Sequence, residues 1–232
     1  MKRRHQMPQQ SEIVFTASEM VPYCKTGGLA DVLGALPTAL KEQGARVTVF
    51  IPYYRQVAEW AEKGGYALPI VIDRLGFHLP GYTGEACVRE FIEQSGVRVL
   101  FIDLPMAYDR DQLYTEDGVD YADNLSRFSI FSKASLEACK ILDIRPDILH
   151  AHDWQASMAI VYLKTHYQRD SFFENTKSVL TIHNLGYQGR FPSDQFQAVD
   201  LPWDYFTPDT LEYFGQVNVL KGGIIFADQI TT

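Results

Sequence analysis

The sequence predicts an α/β fold, a parallel sheet covered by helices, and three observations point to it. Residues 13–17 (IVFTA) read as a short apolar strand, a glycine-bearing loop follows, and residues 29–41 then carry apolar positions at helical spacing. Residues 46–51 (RVTVFI) form a second, β-branched strand ending before Pro52, so the first fifty residues make one βαβ unit. The same rhythm returns later, with strands at 147–150 and 178–182 around a helix at 155–166. Such alternation builds a Rossmann-like parallel-sheet sandwich with helices on its faces.

The remaining elements follow in order. Gly44 is placed to end the first helix. Residues 67–104 change character: 67–72, 85–92 and 97–104 read as strands separated by glycine-containing turns, a β-rich excursion from the βα rhythm. In residues 121–142, Leu125, Phe128, Phe131, Ala138 and Leu142 recur at helical spacing, giving one long amphipathic helix that Pro146 stops. Residues 184–217 are loop-rich, with short helices near Pro192 and Pro202. A last helix covers 217–227, and residues 229–232 begin another strand.

Composition narrows the function classes. A chain of 232 residues, 46% of them hydrophobic, can bury a large core, and a single domain over residues 12–232 is expected. Residues 1–11 are polar, with a basic knot at Lys2, Arg3 and Arg4, and are expected to be a disordered tail outside the fold. No apolar run reaches membrane-span length and the N-terminus lacks a signal-peptide core, which places the protein in the cytoplasm. With a net charge of −8 and no Lys/Arg stripe, a nucleic-acid or anionic-membrane surface is not expected. Cys24, Cys87 and Cys139 lack both pairing and metal spacing, so neither a disulfide nor a zinc site is predicted.

Ligands of open α/β sheets bind beyond the carboxyl ends of the strands, so the loops there hold the candidate chemistry. In the first, Gly27 and Gly28 open a helix beside Lys25: bare backbone amides, a helix N-terminus and one cation suit a phosphate. The order is neither a P-loop nor GxGxxG, and a plain tight turn with a solvated lysine is the alternative. The second loop holds His150, His152, Asp153 and Trp154. Two histidines on one strand face would need a third ligand to bind metal; Asp153 suits an N-cap, and structural histidines are the alternative. The third holds His183, Asn184, Tyr187 and Gln188, hydrogen-bonding groups and a stacking face suited to sugar hydroxyls, or else a glycine-rich turn with a capping Asn. Asp123 and Asn124, at the start of the long helix, read by themselves as caps.

Together these segments resemble the bacterial glycogen synthase and plant starch synthase family of glycosyltransferases over nearly the whole chain. The resemblance rests on Ser18-Glu19-Met20 with Pro22, Lys25-Thr26-Gly27-Gly28-Leu29-Ala30-Asp31-Val32, Asp123-Asn124 with Arg127-Phe128, His150-Ala151-His152-Asp153-Trp154-Gln155, and His183-Asn184-Leu185 with Tyr187-Gln188-Gly189. Leu220-Lys221-Gly222-Gly223 and Ala227-Asp228 continue it in order. It implies a GT-B fold, two Rossmann-like domains facing across a cleft, and transfer of glucose from ADP-glucose to the non-reducing end of an α-1,4-glucan with retention, without metal or other cofactor. It implies that Lys25, Gly27 and Gly28 contact the donor's diphosphate and glucosyl region. It gives His152, facing the transferred glucose, with Asp123 and Asn124 as the catalytic set, and lines the sugar and acceptor side with Asp31, His183, Asn184 and Gln188. The family's C-terminal nucleotide-binding domain has no counterpart in the sequence, so negligible synthase activity is expected of this domain alone. A GT-B transferase of another nucleotide sugar is the competing enzyme reading. A non-catalytic glucan-binding module using Tyr53, Tyr54, Trp60 or Trp203 is the competing binding reading.

Overall fold

A computed structural model describes residues 10–79 and 82–232; the expected tail thus lies almost wholly outside the described residues. β1 (Glu12–Thr16) is buried along its whole length, as a strand covered on both faces must be. α1 (Gly28–Glu42) sinks Leu29, Ala30, Leu33 and Pro37, and Gly44, at φ +95°, turns the chain out of it into β2 (Arg46–Pro52). α2 (Arg55–Gly64) is a helix the sequence reading passed over. Val57 and Ala61 are buried and Trp60 packs on the core, an i, i+3, i+4 stripe nearly hidden among charged neighbours.

The β-rich excursion is present as three strands. β3 (Ile70–Leu79) and β4 (Tyr82–Ile92) form an antiparallel hairpin, but β5 (Arg98–Asp103) pairs parallel with β2 and is a core strand, its last five residues buried. Two of the three are therefore additions to the edge of the main sheet. A short α3 (Pro105–Tyr108) and a small hairpin of β6 (Thr115–Glu116) and β7 (Val119–Asp120) lead to α4 (Asn124–Ile141). α4 is less amphipathic than predicted, with Ser129, Ser132, Ser135 and even Arg127 buried beside its apolar residues. The Arg127 guanidinium is accommodated by donating to Ala107 O (2.7 Å), Leu113 O (3.1 Å) and Asn124 Oδ1 (2.6 Å).

The chain then runs through β8 (Ile148–His152), α5 (Asp153–Lys164), β9 (Lys177–Thr181) and β10 (Arg190–Pro192). Two 3₁₀ turns (Ser193–Val199 and Trp203–Tyr205), β11 (Glu212–Tyr213), β12 (Gln216–Asn218), α6 (Val219–Phe226) and β13 (Gln229–Thr231) complete it. The main sheet has eight strands in the order β13-β9-β8-β1-β2-β5-β4-β3, parallel from β13 to β5; β10, β12 and β11 make a separate antiparallel sheet. From β1 the chain builds outward through β2 and β5, then returns to β1's other side with β8. The switch point thus lies between β1 and β8, where such sheets bind ligands. Among the described residues no helix is long and apolar enough to cross a membrane.

Candidate functional site

A cavity of about 880 Å³ opens at this switch point, a size that suits a drug-sized or nucleotide-sized ligand. One side is the first loop and the start of α1, with Glu19, Gly27, Gly28 and Val32; the other is the start of α5 with residues 183–184 and 186–191. Tyr114, Thr115 and Asp120 close one end.

Gly27 caps α1 in extended backbone (φ −143°), and a Cβ built on Gly27 or Gly28 meets no atom within 4 Å. Neither conformation nor packing therefore demands glycine; its effect is to leave the mouth of α1 open, where the first-turn amides point outward. The loop already holds one anion of its own. Buried Glu19 accepts from Thr26 N (2.5 Å), Gly27 N (3.0 Å) and Thr26 Oγ1 (2.6 Å), with the Tyr114 hydroxyl 2.7 Å from the same carboxylate. Sequence reasoning gave Glu19 no role, since nothing local announces that a carboxylate will fold back into a nest of amides. Lys25, expected on the donor, instead pairs with Asp31 at 2.6 Å, and neither lines the cavity. Both side chains are about half exposed (49% and 58%), so the pair is weak and Lys25 is loosely tethered. Cys24, beside it, is buried with its thiol pushed up to about 12 by burial, far from a reactive thiolate.

His152 is corrected most. Expected to face the cleft, it is wholly buried beneath the floor, its ring stacked on His150 (4.3 Å) and its Nδ1 2.8 Å from His183 Nε2. That contact needs one nitrogen protonated and the other bare. Burial, reinforced by the neighbouring imidazoles, drives the His150 pKa down to about 4 and that of His152 well below its ordinary value, so both are neutral at neutral pH. His150 Nε2 meets Thr181 Oγ1 at 2.6 Å, which in turn meets Thr231 Oγ1 at 2.6 Å. Only His183 of the three lines the cavity, so His152 reaches it through His183.

Asp153 is not the N-cap the sequence suggests; His152 holds that position. Asp153 sits at φ +55°, and its Oδ1 accepts from His183 N (2.8 Å) and Asn184 N (3.5 Å), tying the loop after β9 to the start of α5. Burial raises its carboxyl above the usual range, partly offset by those amides. Within the loop, Asn184 Oδ1 accepts from Gly186 N at 2.9 Å, and Gln188 Oε1 accepts from Asn218 Nδ2 at 2.9 Å. Gly189, at φ +61°, lies so close to Trp154 that a Cβ would sit 2.5 Å from the indole. Asn184 and Gln188 line the cavity; Asp123 and Asn124 do not. Asp123 grips Arg110 (2.5 and 2.8 Å), and Asn124, buried, donates to Tyr114 O at 2.9 Å while accepting from Arg127. They brace the wall that Tyr114 forms. Among the described residues no group of three His, Cys, Asp or Glu could hold a metal ion.

A doubly wound sheet with its cleft at the switch point is common to many nucleotide-binding folds, and here it matches one half of a GT-B glycosyltransferase catalytic domain. The catalytic domain of starch synthase IV from Arabidopsis thaliana, solved bound to ADP and acarbose, matches this fold with a TM-score of 0.79 at 28% identity, over 96% of this chain and 45% of that one. The chain belongs to the starch synthase catalytic domain family, whose model matches residues 12–232. It is similar to the glycogen synthases of Elusimicrobium minutum (43% identical over 225 residues) and Bacillus subtilis (40% over 223), in each case over 95% of this chain. It spans a little under half the length of these curated relatives, 45% and 44% respectively.

Proposed function

We propose that this domain forms one wall of the active cleft of a retaining glucosyltransferase, which moves glucose from ADP-glucose to the non-reducing end of an α-1,4-glucan. The other wall is a C-terminal nucleotide-binding domain, and the setting is cytoplasmic glycogen synthesis. Family membership supports the reaction, and the ADP and acarbose in the Arabidopsis enzyme support the donor and acceptor classes. The observation that carries the site is the unfilled space over Gly27 and Gly28 at the N-terminus of α1. The donor's diphosphate lies against that helix end, and Lys25 leaves its exposed partner Asp31 to meet the charge that grows on the leaving phosphate as the glucosyl bond breaks. His183, its Nε2 engaged by His152, presents Nδ1 to a sugar hydroxyl, with Asn184 and Gln188 beside it. Asp31, Asp123, Asn124 and His152 serve from behind, as tether, brace and support.

The test is Gly28→Ala. The new methyl has room in the empty protein, so the melting temperature stays the same or rises, because alanine is the better helix former. The methyl projects where the phosphate must approach, and calorimetric affinity for ADP-glucose falls about ten-fold or more, a loss of roughly 1.4 kcal/mol. Unchanged affinity removes the donor from this loop. Competition with UDP-glucose in the same titration separates the adenine reading from the other nucleotide sugars.

A further inference from the structure

We propose that the tip of the β11–β12 hairpin is a stacking platform for an α-1,4-glucan, extending the cleft rim outward; this rests on the acceptor reading above. Phe214 and Gly215 form the turn with φ +49° and +74°. Two successive left-handed residues make the tight hairpin turn that favours Asn or Gly, and a bulky aromatic in it is strained. Phe214 is also the barest large apolar residue among those described, at 83% exposure. An aromatic ring that is both strained and open to water serves no need of the fold, and such outliers collect at binding sites.

The ring is also braced. The Glu212 carboxylate accepts from Gly215 N at 2.6 Å, fixing the turn, and Tyr213 meets Phe214 edge-on at 4.7 Å. Arg190 lies over the Tyr213 ring at 5.7 Å and donates to Gln216 Oε1 at 2.9 Å. Arg190 lines the cavity as well, so the platform continues the cleft rim. Ring faces bordered by a guanidinium, an amide and a carboxylate complement a glucosyl unit, whose C–H face stacks while its hydroxyls find donors and acceptors. A protein partner would need about 800 Å² of surface on each side. The residues flanking the two rings, Glu212, Gly215 and Gln216, are polar or without a side chain, and the patch suits one or two sugar rings.

The experiment is affinity electrophoresis of the chain through gels containing glycogen, paired with calorimetric titration of ADP. Phe214→Asn removes the ring while keeping a residue at ease in the left-handed region; Phe214→Trp keeps a ring. The expected result is that wild type is retarded and Phe214→Asn needs about five-fold more glycogen for the same retardation. Phe214→Trp should stay near wild type, with ADP affinity the same in all three. Equal retardation of wild type and Phe214→Asn overturns the platform and leaves the proposed function standing. Wild type that passes unretarded overturns the acceptor reading and the platform with it. A change in ADP affinity, or in self-association by sedimentation, in place of retardation overturns it by giving the tip a different occupant.

Discussion

Gly28 and Gly189 are glycines for opposite reasons, and substitution separates them. At Gly28 the missing side chain leaves room for something outside the chain. At Gly189 it leaves room for Trp154, and the backbone is left-handed as well. Gly189→Ala is therefore expected to destabilise the fold by about 2 kcal/mol through strain and overlap with the indole, read as a lowered melting temperature. An unchanged melting temperature would show that the loop shifts off Trp154 freely. Residues of this kind mark the limit of what the sequence makes legible. Lys25, Gly27, Gly28, His183, Asn184 and Gln188 stand out because each lies in a loop whose composition differs from its flanks. Glu19 and Tyr114 do not, because their contact joins segments far apart in sequence, and the bracing by Asn124 and Arg127 does not, because it runs to backbone carbonyls of an irregular segment that no side-chain pattern announces. Asp123 and Asn124 were readable as a motif but not as supports, and His152 was readable as a strand end but not as buried.

At the scale of elements, β8 and the loop after β9 present imidazoles to one another, and that pairing sets a pH dependence. His150 is partly buried and has a pKa near 4 in the fold against about 6.5 when unfolded. Between those values the unfolded chain binds the proton and the folded chain does not. The stability His150 permits is thus complete above pH 6.5 and is lost as pH falls toward 4, by on the order of 3 kcal/mol. His152, lowered too, acts in the same direction; Asp153, whose carboxyl burial raises, acts in the opposite one. A comparison between proteins is therefore cleaner than one curve. Chemical denaturation of His150→Gln from pH 7 to 4 should show a shallower loss than wild type, since the amide can still meet Thr181 but cannot become charged. Parallel losses would mean that His150 protonates without disturbing the sheet. The elements themselves were largely readable: runs such as 46–51 and 178–182 declare strands through local pattern. The exceptions have local causes, α2 because its stripe is short and diluted by charge, and β5 because a buried parallel strand and a hairpin strand look alike as five apolar residues.

At the scale of the whole molecule, strand order is what no local pattern carries. That β8 returns beside β1, and not beyond β5, is what brings the Gly27–Gly28 loop opposite the His183 loop and makes a cleft. Within this chain α1's N-terminus and the loop after β9 line the two sides of the cleft, and the curated relatives are about twice the length of this chain. If the proposed division of the site is right, affinity and turnover should separate. The chain alone should bind ADP-glucose only in the millimolar range, about 4 kcal/mol, and should not elongate maltooligosaccharides measurably. Joined to the C-terminal half of the Bacillus subtilis relative, it should gain both tighter donor binding and glucan elongation, because the leaving diphosphate is then met from two sides. In that chimera, Lys25→Ala should lower kcat/KM for ADP-glucose by ten-fold or more, roughly 1.4 kcal/mol of transition-state stabilisation, while leaving the melting temperature unchanged, since the exposed Asp31 pair holds little. Brisk elongation by the chain alone would contradict the two-walled site. A Lys25→Ala chimera with unaltered kcat/KM would confine that lysine to its surface pair with Asp31.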